Sequence, residues 1–470
     1  MPTTLLAGAL ALLFAHAPDP AARAVLDTAA ARMGGIAALR SVERVRRDVI
    51  TEWQQTTFDA RPNTTVAGYE WDTELRDYTA SAWRYTRRSF LPTGPFEIVD
   101  LVTDSVAAIK RNGQWAPLNV AYVDERDQVF AFTPERLIVL AHDANDARAL
   151  PDTMMNGVRY ARMSVTVGRF HPTLFFRRGD GLLALARFRA AESNDFGLAP
   201  WGEMDVDIWY SRWAKSPDPA ITLPTQLDVY RVGRPYKRMT TIGMALNPAI
   251  PADSFAISDS LRTAFLATAR RPMYDLPVDT AKILDGAFAV FGTPGTPAGA
   301  VKVGGRWVMI EAGTAPRSIE RSAAFLRSAD PTTTLGGALV TAPIGAGGLA
   351  WLVDHATPTW IAAAARPHAD AALHGWKRSS ARVQTITADR WIRVGSDSLR
   401  VEIIDTPDYP GALVVYVPSL RWAYAWNPGA VQMEYVAAHI RRRGWTVDRV
   451  GSGRAFVGTP LPPAPPSAAR

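Results

Sequence analysis

Hydrophobic positions change their period twice along the chain. Residues 21–39 space apolar side chains three and four apart, which predicts a helix, with Gly34-Gly35 as a break inside it. The period then falls to two. Residues 47–56, 81–89, 162–170, 173–178, 182–190, 204–211 and 225–232 alternate or run apolar with β-branched and aromatic side chains, divided by turns such as Gly179-Asp180-Gly181. Strand after strand with no helix between predicts an antiparallel meander. Beyond about residue 277 strands and helices alternate. A strand is predicted over 282–291 around Asp285-Gly286, and a hairpin over 300–303 and 307–311 across Gly304-Gly305. Further strands are predicted at 336–341, 359–363, 401–406, 413–417 and 422–426, and helices at 318–328, 347–353 and 431–443.

The shift predicts two domains, since 470 residues exceed what one hydrophobic core organises. Residues 19–272 form the first, an α+β unit built on an antiparallel sheet. Residues 273–459 form the second, an α/β unit. Residues 1–18 read as an apolar leader and 460–470 as a proline-rich tail with no regular structure. The apolar run 5–15 is too short to span a membrane and suits a secretory signal, with Ala15-His16-Ala17 as its cleavage context. No basic residue precedes that run, and Pro18 follows the cut, so retention as an anchor stays open.

Composition narrows the chemistry. Cysteine is absent, which removes disulfides, thiolate nucleophiles, cysteine-ligated zinc and iron–sulfur clusters together. Seven histidines remain for metal or acid–base work. The net charge is +7, but arginine is scattered and the longest basic run is Arg441-Arg442-Arg443. No nucleic-acid module surrounds that run, so nucleic acid is not expected as a partner. Trp209 and Trp213 flank Tyr210 and Arg212, which points one indole outward and hints at a protein-contact surface.

The first domain resembles the periplasmic lipoprotein-carrier family. The resemblance rests on Met33-Gly34-Gly35, Leu39 and Val42, the strand near Ile50, Gly181-Leu182-Leu183, Leu223-Pro224, and Leu246-Asn247 ahead of Phe255. It implies a helix-plugged half-barrel whose concave face is an acyl groove, whereas an apolar inward face fits a packed core equally well. The second domain resembles the metallo-β-lactamase superfamily through Asp285-Gly286-Ala287-Phe288, Trp307 to Glu311 with Gly313, Gly347-Gly348-Leu349, and Leu413 to Pro418 followed by Trp422 to Asn427. That implies a four-layer αββα sandwich.

The departure from that superfamily carries more than the match. Its metal-binding run of histidines and an aspartate would lie between Thr341 and Gly347. Here the interval reads Ala342-Pro343-Ile344-Gly345-Ala346, shorter by two and without a side-chain ligand. Pro407-Asp408-Tyr409-Pro410 stands in place of a Gly-His turn, Asn427 in place of a bridging aspartate, and Gly451-Ser452-Gly453 in place of a closing Gly-His-Gly. No metal site, no cofactor and no catalytic residue are therefore expected. Asp408, Tyr409 and Asn427 are the candidate binding residues of a vestigial cleft. His355 beside Asp354, and His368 near Asp370, read as capping or surface groups.

The leading reading is an exported, non-catalytic binding or scaffolding protein, an accessory subunit of an envelope or membrane-associated assembly with a protein partner. The alternatives are a hydrolase of an ester, lactone or thioester with an atypical site, and a carrier of a hydrophobic small molecule. The sequence sets no oligomeric state.

Overall fold

A computed structural model describes residues 19–55, 66–91, 94–118, 120–191, 203–216, 220–231, 233–268, 281–291, 298–313, 316–341, 346–406, 410–426, 430–453 and 455–462. Two helices open it, α1 (Pro20–Arg32) and α2 (Ile36–Arg40). The Asp19 carboxylate accepts the Ala21 amide at 2.9 Å and Pro20 sits at the first helical position, so the start of α1 is capped. The predicted break falls between the helices. Gly34 has φ +112°, and a Cβ there would lie 3.0 Å from the Ala220 carbonyl oxygen.

Thirteen strands follow in one antiparallel sheet. The first six are β1 (Arg44–Gln55), β2 (Val66–Asp77), β3 (Ala82–Leu91), β4 (Gly94–Thr103), β5 (Val106–Arg111) and β6 (Gln114–Pro117). Helices α3 (Ala121–Phe132) and α4 (Pro134–Asp143) come next. The remaining strands are β7 (Arg148–Met155), β8 (Val158–Ser164), β9 (Thr173–Arg177), β10 (Leu183–Ala191), β11 (Glu203–Lys215), β12 (Thr222–Arg231) and β13 (Arg234–Leu246). The spatial order is β6-β5-β4-β3-β2-β1-β13-β12-β11-β10-β9-β8-β7. Two meanders thus meet at the β1–β13 pair, and β6 and β7 are opposite edges. The chain between those edges has to cross a face of the sheet, and α3 and α4 do so. The expectation of no intervening helix is corrected here. Thr133 and Pro134 split the run into two helices, and α4 buries Leu137, Ile138, Val139 and Ala141. Helix α5 (Asp259–Thr268) packs by Phe265 with Trp83 and Val106.

Two further sheets occupy residues 282–460. One runs β14 (Lys282–Leu284), β15 (Phe288–Phe291), β16 (Ala298–Val303), β17 (Arg306–Ile310), β18 (Leu335–Val340), β19 (Thr359–Ala362) and β20 (Val383–Ile386), adjacent in that order. Strands β17 to β20 are parallel, and the crossovers are helical: α6 (Pro316–Ala329), α7 (Leu349–Asp354) and α8 (Arg366–Gly375). The other sheet holds β21 (Arg390–Val394), β22 (Asp397–Ile404), β23 (Ala412–Val417), β24 (Trp422–Ala425), β25 (Arg449–Gly451) and β26 (Thr459–Pro460), with α9 (Ala430–Arg442) between β24 and β25. One hydrophobic cluster joins Val308, Leu339 and Ile361 of the first of these sheets to Leu399, Val415 and Trp422 of the second. It also takes in Ile319, Leu349 and Leu373 from α6, α7 and α8. Val414 and Tyr416 alternate with Leu413 and Val415, so they face the other way, and there they meet Val436 and Ile440 of α9.

Three local expectations change. Residues 282–291 are a hairpin, not one strand, because Asp285 and Gly286 both take positive φ and turn the chain. Residues 162–170 are a strand only to Ser164; a turn at Gly168 then brings Val167 against Phe170. Pro460 is not loose tail but ends an edge strand against Arg449, where its missing amide costs nothing. Trp209 and Trp213 are both half-buried and packed on hydrophobic clusters. Among the described residues no helix is long and apolar enough to cross a membrane.

Candidate functional site

At one end of the second half, the strands stop on a brace. Glu311 follows β17, is fully buried and holds φ +65°, a strained value for a side chain other than glycine. Its two carboxylate oxygens accept the Thr341 amide at 3.2 Å each, and the Thr341 hydroxyl donates to Oε1. The Gly347 amide donates to the Gly313 carbonyl at 3.1 Å, tying the far end of the 342–346 interval back to the same strand end. Gly348 closes the packing: a Cβ there would meet the Ala312 carbonyl oxygen at 2.1 Å. Gly348→Ala should therefore cost about 1–3 kcal/mol by overpacking, read as a lowered urea midpoint.

The register gathers other chain segments at this end. Ile404 pairs with Ala412 and Val414 with Ala425, so the chain leaves β22, enters β23 and leaves β24 at one end of their sheet. Asp405 Oδ1 accepts the Gly411 amide at 2.8 Å between β22 and β23. A Cβ on Gly411 would lie 3.8 Å from Ala364, which follows β19, so that end abuts the ends of the parallel strands. Asp408, Tyr409 and Asn427 lie outside the described residues, as do residues 342–345.

A catalytic metal needs three or four nitrogen, oxygen or sulfur donors. Glu311 spends both oxygens on Thr341, and the sequence from 342 to 346 supplies only alanine, proline, isoleucine and glycine. Among the described residues no three His, Asp or Glu side chains are grouped to hold an ion. Among the described residues the donors at this end do not fit a metal. The other candidates are engaged locally. His355 stacks on Trp351 at 3.8 Å, Asp354 pairs with Arg378 at 2.6 Å, and Asp370 pairs with Arg366 at 2.8 Å. The His368 side chain lies outside the described residues. His439 sits 2.9 Å from Glu402, which Arg400 and Arg443 also grip, fixing α9 on β22.

The second unusual constellation is in the thirteen-stranded sheet. The face covered by α3 and α4 carries rungs of charge across β1 to β4: Arg47–Glu74–Tyr85–Asp100 in one register row and Val49–Asp72–Arg87–Ile98 in the next. Arg47, Glu74 and Arg76 are almost wholly buried. Glu74 accepts Arg76 at 2.6 Å and Trp83 Nε1 at 2.8 Å, with Arg47 at 3.7 Å. Glu135 of α4 accepts the Tyr78 hydroxyl at 2.8 Å and lies 3.7 Å from Arg76, pinning the helix over the sheet. Burial alone would raise the Glu74 carboxyl, but Arg76 and Arg47 outweigh it and hold it below its ordinary value. Burial and the Arg76 charge lower Arg47. Burial pushes Asp72 and Asp100 up to about 6, although Asp72 accepts the Thr51 and Tyr85 hydroxyls and Asp100 accepts Arg87 at 2.7 Å.

The helix-covered face of this sheet differs along its width. Over β1 to β4 it is lined with charge, and over β8 to β13 it is packed with apolar side chains such as Phe132 stacked 3.8 Å from Phe188. The sequence reading missed the ladder. Its signal was Glu70, Asp72, Glu74 and Arg76 at alternate positions of one strand.

No family model matches the chain, and no curated protein matches it. Solved structures are similar to parts of it. A LolA superfamily protein from Nitrosomonas europaea is 10% identical with a TM-score of 0.32, covering 50% of this chain and 97% of its own. A DUF1329 family protein from Desulfovibrio piger is 9% identical with a TM-score of 0.32, covering 51% and 98%. A metallo-β-lactamase from Pontibacter korlensis is 12% identical with a TM-score of 0.30, covering 37% and 89%. These matches are of the same two kinds as the resemblances read from the sequence.

Proposed function

We propose that the chain is an exported, non-catalytic binding protein whose second half, residues 273–459, is a four-layer αββα scaffold that has kept its architecture without metal chemistry. One observation carries this reading. The brace of Glu311, Thr341, Gly313 and Gly348 is complete, yet the interval it supports holds no side chain able to ligate an ion. The surroundings of a metal loop outlast its donors only if the shape is useful by itself. The partner fitted by this reading is a protein of an envelope assembly, and nucleic acid is not proposed. Asp408, Tyr409 and Asn427, outside the described residues, are the binding residues this reading proposes, acting through hydrogen bonds. The apolar run at 5–15 supports export. A hydrophobic cargo in the first half, residues 19–272, is disfavoured by the charge on β1 to β4.

The test is turnover. The purified chain, assayed with p-nitrophenyl acetate, a homoserine lactone and an acyl thioester, should hydrolyse each no faster than buffer, and Asp408→Ala and Tyr409→Phe should change nothing. A turnover that falls by orders of magnitude in Asp408→Ala overturns the proposal in favour of a hydrolase with an atypical site.

A further inference from the structure

The solvent face of the thirteen-stranded sheet carries a cleft that owes its shape to a bulge. Along β1, Asp48 pairs with Gly243 but the next residue, Val49, pairs with Thr241, so β13 contributes one extra residue, Ile242. Ile242 is thrown outward and is 59% exposed. Beside it Trp71 of β2 is 56% exposed and Tyr69 is 54% exposed. Asp48, Trp71, Thr73, Arg88, Ile242 and Gly243 line a cleft of about 340 Å³, within the range that takes a small ligand. Gly243 keeps it open, since a Cβ there would stand 3.2 Å from Asp48 Oδ2.

The polar groups are held and balanced. Thr73 donates to Asp48 Oδ1 at 3.0 Å and Arg46 approaches the same oxygen at 3.4 Å, while Arg88 donates to Glu97 at 3.0 Å. The exposed charges Asp48 and Arg88 thus each have an opposite beside them, and Asp72, which also borders the cleft, is buried and accepts the Thr51 and Tyr85 hydroxyls. A cation would meet Arg46 and Arg88, an anion would meet Asp48, and a purely apolar surface would strip water from a carboxylate and a guanidinium with nothing in return. A neutral ligand with one apolar face and a rim of hydroxyls matches every element.

We infer that this cleft binds a saccharide, one sugar ring lying flat on Trp71 with its hydroxyls reaching Asp48, Thr73 and Arg88. Tyr69 lies two residues along the same face, about 7 Å away at strand spacing, and extends the platform toward a second ring. The site is independent of the scaffold reading of the second half, and it stands whether or not that half turns over a substrate.

Titration calorimetry of the full chain with chitotriose, cellotriose and maltotriose tests it. At least one should bind saturably. Trp71→Ala should weaken that binding at least about tenfold, the loss of one stacked ring. Gly243→Val should abolish it, and Trp391→Ala, which removes an equally exposed indole on β21, should leave it unchanged. Absence of saturable binding to all three, or binding indifferent to Trp71→Ala, overturns the assignment. Cross-linking that finds a protein segment seated over Trp71 in place of sugar overturns it equally.

Discussion

Replacing Glu74 with alanine should destabilise the thirteen-stranded sheet by about 3–5 kcal/mol, the usual result of removing one partner from a buried ionic cluster. Arg47 and Arg76 are 3% and 2% exposed and share this carboxylate, so its removal leaves two buried guanidinium groups with only Glu135, 3.7 Å from Arg76, as a nearby countercharge. Trp83 also loses the acceptor for its indole N–H. Glu74→Gln should recover part of the loss, because the amide oxygen still accepts a hydrogen bond while the charge is gone. Replacing Glu74 and Arg76 together by leucine and methionine should cost less than Glu74→Ala alone, since no uncompensated pair of cations then remains. Urea unfolding of the three variants gives the order directly. A Glu74→Ala loss under about 1 kcal/mol would mean that solvent reaches the ladder.

Asp72→Asn should flatten the pH dependence of the same sheet. Folding raises this carboxyl from 3.8 to about 6, chiefly through burial. A group whose folded pKa lies above its unfolded value contributes stability below pH 4 and loses it as the pH climbs through 6. The wild-type chain therefore gives up about 2 kcal/mol at this residue between pH 4 and pH 7, which the amide does not. Asp100 titrates over the same window in both proteins and cancels in the comparison. Unfolding free energies of the two proteins at pH 4 and pH 7.5 measure the difference, and parallel profiles would count against the burial of Asp72.

The same strands show how far sequence pattern reached. Period-two alternation gives strands well, and β1, β3, β10 and β12 lie close to their expected bounds. What alternation leaves open is which face is inside. In β2 the residues Tyr69 and Trp71 look like the core face and Glu70, Asp72, Glu74 and Arg76 like the solvent face. The structure inverts them, because partners gathered from several strands satisfy the buried acids: Arg47 of β1 and Arg76 of β2 itself for Glu74, the Thr51 and Tyr85 hydroxyls for Asp72, the Trp53 indole for Glu70 and Arg87 for Asp100. No single segment contains that information. Helices α3 and α4 escaped for a related reason, since a stretch crossing a buried face mixes charge with apolar residues. Arg126 reaches the Ser81 and Asp104 carbonyls at 2.6 Å and Glu135 reaches Tyr78.

The second half was more legible. Glycine marks its turns, with Gly304 and Gly305 at positive φ in the predicted hairpin, and its helices follow their strands as crossovers. Glu311, singled out as an acid ending a strand, is found holding Thr341. That partnership fixes the near end of the 342–346 interval and the Gly347–Gly313 hydrogen bond its far end, although the interval carries no ligand.

Elemental analysis decides the matter most directly. The full chain, purified after growth with zinc, iron and manganese supplied, should carry each metal at well below one atom per chain, unchanged by Glu311→Gln. One tightly held atom per chain, surviving gel filtration and lost in that variant, would contradict the scaffold reading outright.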